Sequence, residues 1–137
     1  DIREALVRAG DMVLTTLGPQ FKCAVVDEEN DGALISENII AMTLLPKYSA
    51  EYVASYLNSP FGQKELQNRA SGTSHIVRIS PKVLPKVEVC LPPEGTESEV
   101  FGLFRTYYEY ERALSGERET RMKIMDALLC TARGDRP

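Results

Sequence analysis

The sequence predicts an α+β fold: a small curved, mostly antiparallel sheet with short helices, followed by a long C-terminal helix of coiled-coil character. Three observations predict it. Short β-rich runs separated by turn signals fill residues 12–45. Two serine-capped helical stretches follow, beginning at Ser49 and at Ser59-Pro60. After Leu91-Pro92-Pro93 the chain contains no further proline before Pro137, and its charged and apolar residues run at helical spacing.

Taken in order, residues 2–9 form a short amphipathic piece that ends at a Gly10-Asp11 turn. Residues 12–16 read as a strand, and Gly18-Pro19 turns the chain into a second strand over residues 21–26. The acidic loop 27–32 separates that strand from Leu34-Ile35, and residues 39–45 form another strand before Pro46. Strands this short, with turns between them, favour an irregular curved sheet over a doubly wound one. Ser49 caps a helix over residues 50–58 that sets Tyr52, Val53, Tyr56 and Leu57 on one face, a core pattern more than a base-stacking one. The second helix starts at Pro60 and ends near Gly72, with Phe61, Leu66 and Ala70 inward and Lys64, Gln67, Asn68 and Arg69 polar.

The run 70–93 carries the most information. Ser71-Gly72-Thr73-Ser74 is a polar loop that leads through His75 and Arg78 into Ile79-Ser80-Pro81-Lys82. Ser80 is an N-cap before proline at the first helical position, and Pro85 stops that helix after about one turn. Residues 87–91 then alternate, which puts Val87, Val89 and Leu91 on one face of a half-buried strand, and Pro92-Pro93 forces an extended exit. Pro81, Val87, Val89 and Leu91 thus read as a packed corner.

The loop residues suit nucleic-acid contact. Arginine can bond guanine with two donors, asparagine or glutamine can do the same with adenine, and hydroxyls reach bases or phosphates. The candidate DNA contacts are Asn68, Arg69, Ser71, Thr73, Ser74, His75, Arg78 and Lys82, with Gln20 and Lys22 beside the Gly18-Pro19 turn as secondary candidates. Each also has an ordinary structural reading: Ser71 and Thr73 can satisfy a helix end, His75 can be a strand residue, and arginine can be an ion-pair partner.

The C-terminal helix has a readable seam. Leu103, Tyr107, Tyr110, Leu114, Glu117, Arg121, Ile124 and Leu128 fall at alternating spacings of four and three, the rhythm of a coiled coil. Met122, Met125 and Leu129 widen the stripe. At about 1.5 Å per residue the helix would measure roughly 52 Å. A small domain cannot cover such a stripe, so a second copy is the expected partner, with Leu103, Tyr107, Tyr110, Leu114, Ile124 and Leu128 as dimer contacts. The alternative is a hairpin that folds back at Gly116.

Composition bounds these readings. The 137 residues suit one domain plus a helical extension: residues 1–95 globular, residues 96–137 a spacing and dimerising helix with a short tail. The formal net charge of −4 opposes a phosphate backbone at long range. The distribution is uneven, however. Residues 1–59 hold four basic and nine acidic groups, whereas residues 60–90 hold Lys64, Arg69, Arg78, Lys82 and Lys86 against Glu65 and Glu88. Cys23, Cys90 and Cys130 are odd in number and widely spaced, which fits reduced cytoplasmic thiols, and a single histidine, His75, makes a metal site unexpected. No stretch has membrane-span length or signal-peptide character.

Gly10-Asp11-Met12-Val13-Leu14-Thr15-Thr16, then Tyr52 to Leu57 followed by Asn58-Ser59-Pro60, Ser71-Gly72-Thr73, Ile79-Ser80-Pro81 and Leu91-Pro92-Pro93 stand in an order that resembles specificity subunits of type I restriction-modification systems. The likeness spans roughly residues 7–130 and rests on order and spacing. It implies the later half of a target recognition domain with its helical spacer, whose opening half would precede Asp1. It implies double-stranded DNA, methyltransferase subunits and, through them, a restriction subunit as partners. It implies no cofactor and no catalysis in this chain, in keeping with a sequence that has no glycine-rich cofactor loop and only a superficial echo, Asn58-Ser59-Pro60-Phe61, of the adenine-methyltransferase motif. A recognition domain fused behind a methyltransferase has the same signature. The competing class is a protein-interaction module that does not bind DNA and dimerises through its C-terminal helix.

Overall fold

Alternation in the first strand builds the sheet. Met12, Leu14 and Thr16 are buried while Val13 and Thr15 are half-exposed, the period-two pattern of a strand packed on one face. The computed structural model describes residues 6–73 and 75–133. In it β1 (Met12–Thr15) is the centre of a three-stranded antiparallel sheet, flanked by β2 (Cys23–Val25) and β3 (Ile39–Met42). Met12 faces Val25 on one side and Met42 on the other, and Leu14 faces Cys23 and Ile40. Leu34 belongs to no strand and makes a single bridge to Leu6.

The helices follow their caps. Ser49 accepts the Tyr52 N–H and opens α1 (Ala50–Asn58); Ser59 accepts the Gly62 N–H and, with Pro60 at the first helical position, opens α2 (Pro60–Arg69). Val53, Ala54 and Leu57 of α1 and Leu66 of α2 join Val7, Met12, Leu14, Phe21, Cys23, Val26 and Ile79 in the core. At roughly 1.5–3 kcal/mol for each large apolar side chain removed from water, this cluster is the main source of stability. Phe61, expected inward, is instead 75% exposed. The close approach of the two helices at Gly62 explains this: a Cβ there would collide with the backbone of Tyr56 and Leu57, so Gly62 faces α1 and its neighbour Phe61 faces water. Ala70 is only half-buried.

The helix pair is docked on the edge of the sheet by two side-chain amides. Asn58 donates from Nδ2 to the Cys23 carbonyl (2.7 Å) and accepts the Cys23 N–H at Oδ1 (2.8 Å). Gln63 does the same for Phe21, at 2.6 Å and 3.1 Å, and its Nε2 also donates to the Leu57 carbonyl (2.8 Å). Phe21 and Cys23 are two apart, so both turn their backbone groups to the open edge of β2, where the amides stand in for a fourth strand. Asn58 in the Asn58-Ser59-Pro60-Phe61 run therefore has a structural task.

After the helices, β4 (Ser71–Gly72) and β5 (Val77–Arg78) form a hairpin, and a 3₁₀ helix spans Pro81–Lys86 with Ser80 as its cap and Pro85 inside it. The strand expected over residues 87–91 does not form. No described strand pairs with it, and the prolines at 85 and 92 stand on either side. Single side-chain bonds tether it instead: Glu65 accepts the Glu88 N–H (3.2 Å), and the Tyr52 hydroxyl donates to the Cys90 carbonyl (2.6 Å). Val87 and Val89 are half-buried, while Pro81 and Leu91 are exposed, so the packed corner is partial.

α3 (Glu97–Arg133) completes the α+β fold and is continuous through Gly116, with no hairpin there. Glu97 turns its carboxylate back to the Gly95 N–H (2.7 Å), a favourable charge at a helix start. Tyr52 packs on Phe101 and Phe104 with ring centroids 5.4 and 5.1 Å away, so the first turns of α3 belong with the sheet and short helices. The chain accordingly divides into two units, Asp1–Phe104 and Arg105–Pro137, the boundary lying within α3. Among the described residues no helix is long and apolar enough to cross a membrane.

Candidate nucleic-acid interface

Most of the polar loop expected from the sequence is the β4–β5 hairpin. Ser71 pairs with Arg78 and Gly72 with Val77, and the Thr73 N–H donates to the Ile76 carbonyl (3.1 Å) near the tip. Gly72 sits at φ +145°, and a Cβ there would strike the Ile76 carbonyl, so the turn requires glycine. The base is fixed to the main sheet. The Ile79 N–H donates to the Thr16 carbonyl (3.0 Å), the Gly18 N–H to the Val77 carbonyl (3.3 Å), and Leu17 bridges Arg78. Ile79, 1% exposed, plugs the base into the core.

This arrangement holds Thr73, His75 and the apolar Ile76 out to solvent at the tip of a stem that is bonded to the sheet. Ser71, Thr73, His75 and Arg78 are all exposed. Ser71 and Arg78 are directly opposed across the ladder, so their side chains leave the same face. Ser74 lies outside the described residues. The Gly18–Val77 bond also brings the Gly18-Pro19 turn alongside β5, with Gln20 and Lys22 exposed on the turn's far arm.

Asn68, Arg69 and Lys82 lie elsewhere. Asn68 is exposed on α2, where it lines a cleft of about 420 Å³ together with Glu65, Arg69, Val83 and Lys86. Arg69 is engaged: its Nε meets Glu65 Oε1 at 2.7 Å, four residues back on the helix. The Arg69 hydrogen bond, followed by that of the Glu88 amide, holds the Glu65 carboxyl below its usual range. Glu65 and Arg69 together are a clip between α2 and the segment after the 3₁₀ helix, and the arginine has a structural partner. Lys82 is exposed in the first turn of the 3₁₀ helix, its N–H bonded to Ser80 Oγ (3.3 Å).

The sequence carries no signal for the clamping roles of Asn58 and Gln63, because an amide at a helix junction has no pattern that separates a backbone clamp from a solvent-facing side chain. Burial pushes the Cys23 thiol up to about 12, which keeps it protonated and inert. Among the described residues no three His, Cys, Asp or Glu side chains gather into a possible metal site.

The second candidate surface is the seam of α3. Leu103, Tyr107, Tyr110, Leu114, Ile124 and Leu128 are all exposed, as are Met122, Met125 and Leu129. Glu117 and Arg121 on the same seam are bonded to each other within the helix at 2.6 Å.

Neither a protein-family model nor a curated protein sequence matches this chain.

Proposed function

We propose that this chain is a DNA sequence-recognition module of the kind found in type I restriction-modification specificity subunits, which directs methyltransferase subunits, and through them a restriction subunit, to a target. In this reading it has no catalytic role. The observation that carries the proposal is the hairpin: an exposed tip, with Thr73 and His75 beside the apolar Ile76, whose stem is bonded to the main sheet at Thr16, Leu17 and Gly18. A β-ribbon of this kind can enter a major groove, where Arg78 would reach guanine and Ser71 and Thr73 would reach bases or phosphates. Lys82 and Lys86 would add phosphate contacts. α3 would act as the spacer and as the surface that pairs with a second copy, so that two hairpins address two half-sites.

The test is a titration of labelled duplex DNA, selected for binding, with the wild-type chain and the Arg78→Ala variant. Arg78 is exposed, so the variant should keep the wild-type unfolding midpoint. Affinity should fall by roughly 1–3 kcal/mol, as for loss of a base-reading arginine. Equal affinity would remove the hairpin from the interface.

The second reading, a protein-interaction module that does not bind DNA, is favoured by one observation. The net charge is −4, and Arg69, among the basic groups nearest the hairpin, is already held by Glu65. That module would bind no duplex even at low salt.

A further inference from the structure

The β4–β5 ribbon has two unlike faces. Exposure alternates along its second arm, with Ile76 open, Val77 half-buried, Arg78 open and Ile79 buried, the period of a strand. Ser71 stands opposite Arg78, and the Thr73 N–H donates to the Ile76 carbonyl (3.1 Å), so Ser71, Thr73, Ile76 and Arg78 share the outward face. Ile76 is the apolar member of that set, and it is 62% exposed. We propose that Ile76 is a specificity-determining residue that reads the C5-methyl group of a thymine, about two base pairs from the base that Arg78 reads. The inference rests on the hairpin's reading of DNA proposed above and adds to it an apolar contact.

The chemistry of the major groove selects that ligand. Its base edges present hydrogen-bond donors and acceptors at every pair, and the thymine methyl is the apolar group among them. An isoleucine pressed against any other edge would strip water from a polar atom and give it no partner, whereas against the methyl it buries apolar surface on both sides. Position follows from the ladder. Ile76 and Arg78 are two residues apart on one arm, roughly 6.5 Å along the strand, and base pairs rise by about 3.4 Å, so a ribbon lying along the groove sets the two side chains over bases about two steps apart. The side chain is also held in place. Gly72 lies so close to the Ile76 carbonyl that a Cβ there would strike it, Ile79 anchors the same arm in the core, and a β-branched side chain has few χ1 choices. A lone exposed isoleucine is ordinary on a protein surface. One that shares a fixed face with an arginine and two hydroxyls is placed to read.

The duplex recovered by selection with the wild-type chain supplies the test. Each thymine of its motif is replaced in turn by deoxyuridine, which removes the methyl group and leaves every hydrogen-bonding edge intact. Binding is titrated with the full chain as wild type, Ile76→Ala, Ile76→Val and Arg78→Ala. At one thymine, about two base pairs from the position where Arg78→Ala relaxes specificity, the wild type should lose about fourfold in affinity, the worth of one buried methyl group. Ile76→Ala should bind the thymine and deoxyuridine duplexes alike, and Ile76→Val, which keeps a methyl branch, should still tell them apart. Because Ile76 is exposed, both variants should keep the wild-type unfolding midpoint. Wild-type indifference to deoxyuridine at every position, a selected motif with no thymine at that spacing, or a loss on Ile76→Ala that is equal for both duplexes would overturn the inference. Arg78→Ala separates the two levels. If it weakens binding while the deoxyuridine series is flat, the hairpin reads DNA without Ile76; if no duplex is recovered, or neither Arg78→Ala nor Ile76→Ala changes affinity, the hairpin lies outside any DNA interface and both claims fall.

Discussion

The two units of this chain solve the burial problem in opposite ways. Up to Phe104 the polypeptide covers itself: among the described residues eleven apolar ones are buried, and open backbone groups are met by side chains, Asn58 and Gln63 along the edge of β2, Glu65 on Glu88 and Tyr52 on Cys90. Among the described residues beyond Phe104 none is buried, and the apolar ones stay in contact with water. The difference teaches that the first unit owes its stability to its own contacts, whereas the second, a single helix with an uncovered seam, would gain most from the proposed association. Unfolding of the first should be independent of protein concentration, and melting of the helix beyond it should not.

The strongest way to break the self-contained unit is at Gly62. Gly62→Ala puts a Cβ into the backbone of Tyr56 and Leu57, and the expected loss is about 3 kcal/mol, at the upper end of overpacking effects, read as a lower denaturant midpoint. Helix pairing beyond Phe104 should survive, which concentration-dependent circular dichroism would show. Next in size is Asn58→Ala, which leaves the Cys23 N–H and carbonyl without partners at the edge of β2; roughly 2 kcal/mol is expected, again with no change in self-association. Equal stability of the variant would mean that water replaces the amide without loss.

The smallest effect is a pH dependence. Glu65 has a folded-state pKa below its unfolded value, so it binds fewer protons when folded, and its contribution is present above the unfolded pKa and fades as the pH falls through the folded one. The Glu65→Gln variant should therefore lose stability at neutral pH and converge with the wild type in acid. Parallel stability curves for the two proteins would show that the clip is not electrostatic. Because Glu65 lies close to solvent, the difference is expected to be small.

The fold was legible where local signals agree with tertiary packing. Ser49 and Ser59-Pro60 give both helix starts, the alternation from Met12 to Thr16 gives the central strand, and the proline-free run gives α3. What was not legible depends on contacts remote in sequence. Residues 87–91 alternate as a strand does, but a strand needs a partner strand, and what meets them is the Leu84 carbonyl at Val87 and the side chains of Glu65 and Tyr52 at Glu88 and Cys90. Phe61 follows an apolar rule that Gly62 overrides, since only the glycine fits against α1. In the candidate interface, the exposure of Ser71, Thr73, His75 and Arg78 matches a surface loop, yet the engagement of Arg69 by Glu65 is an i,i+4 pair that the sequence contains and that a list of polar residues passes over.

The central claim is sequence recognition, and its most direct measurement is a pooled-duplex selection with the wild-type chain at low salt, where weak phosphate contacts contribute most. The expected result is recovery of a short fixed motif, repeated in inverted orientation at constant spacing if two copies bind together. Recovery of random sequence, or of no DNA at all, would contradict it.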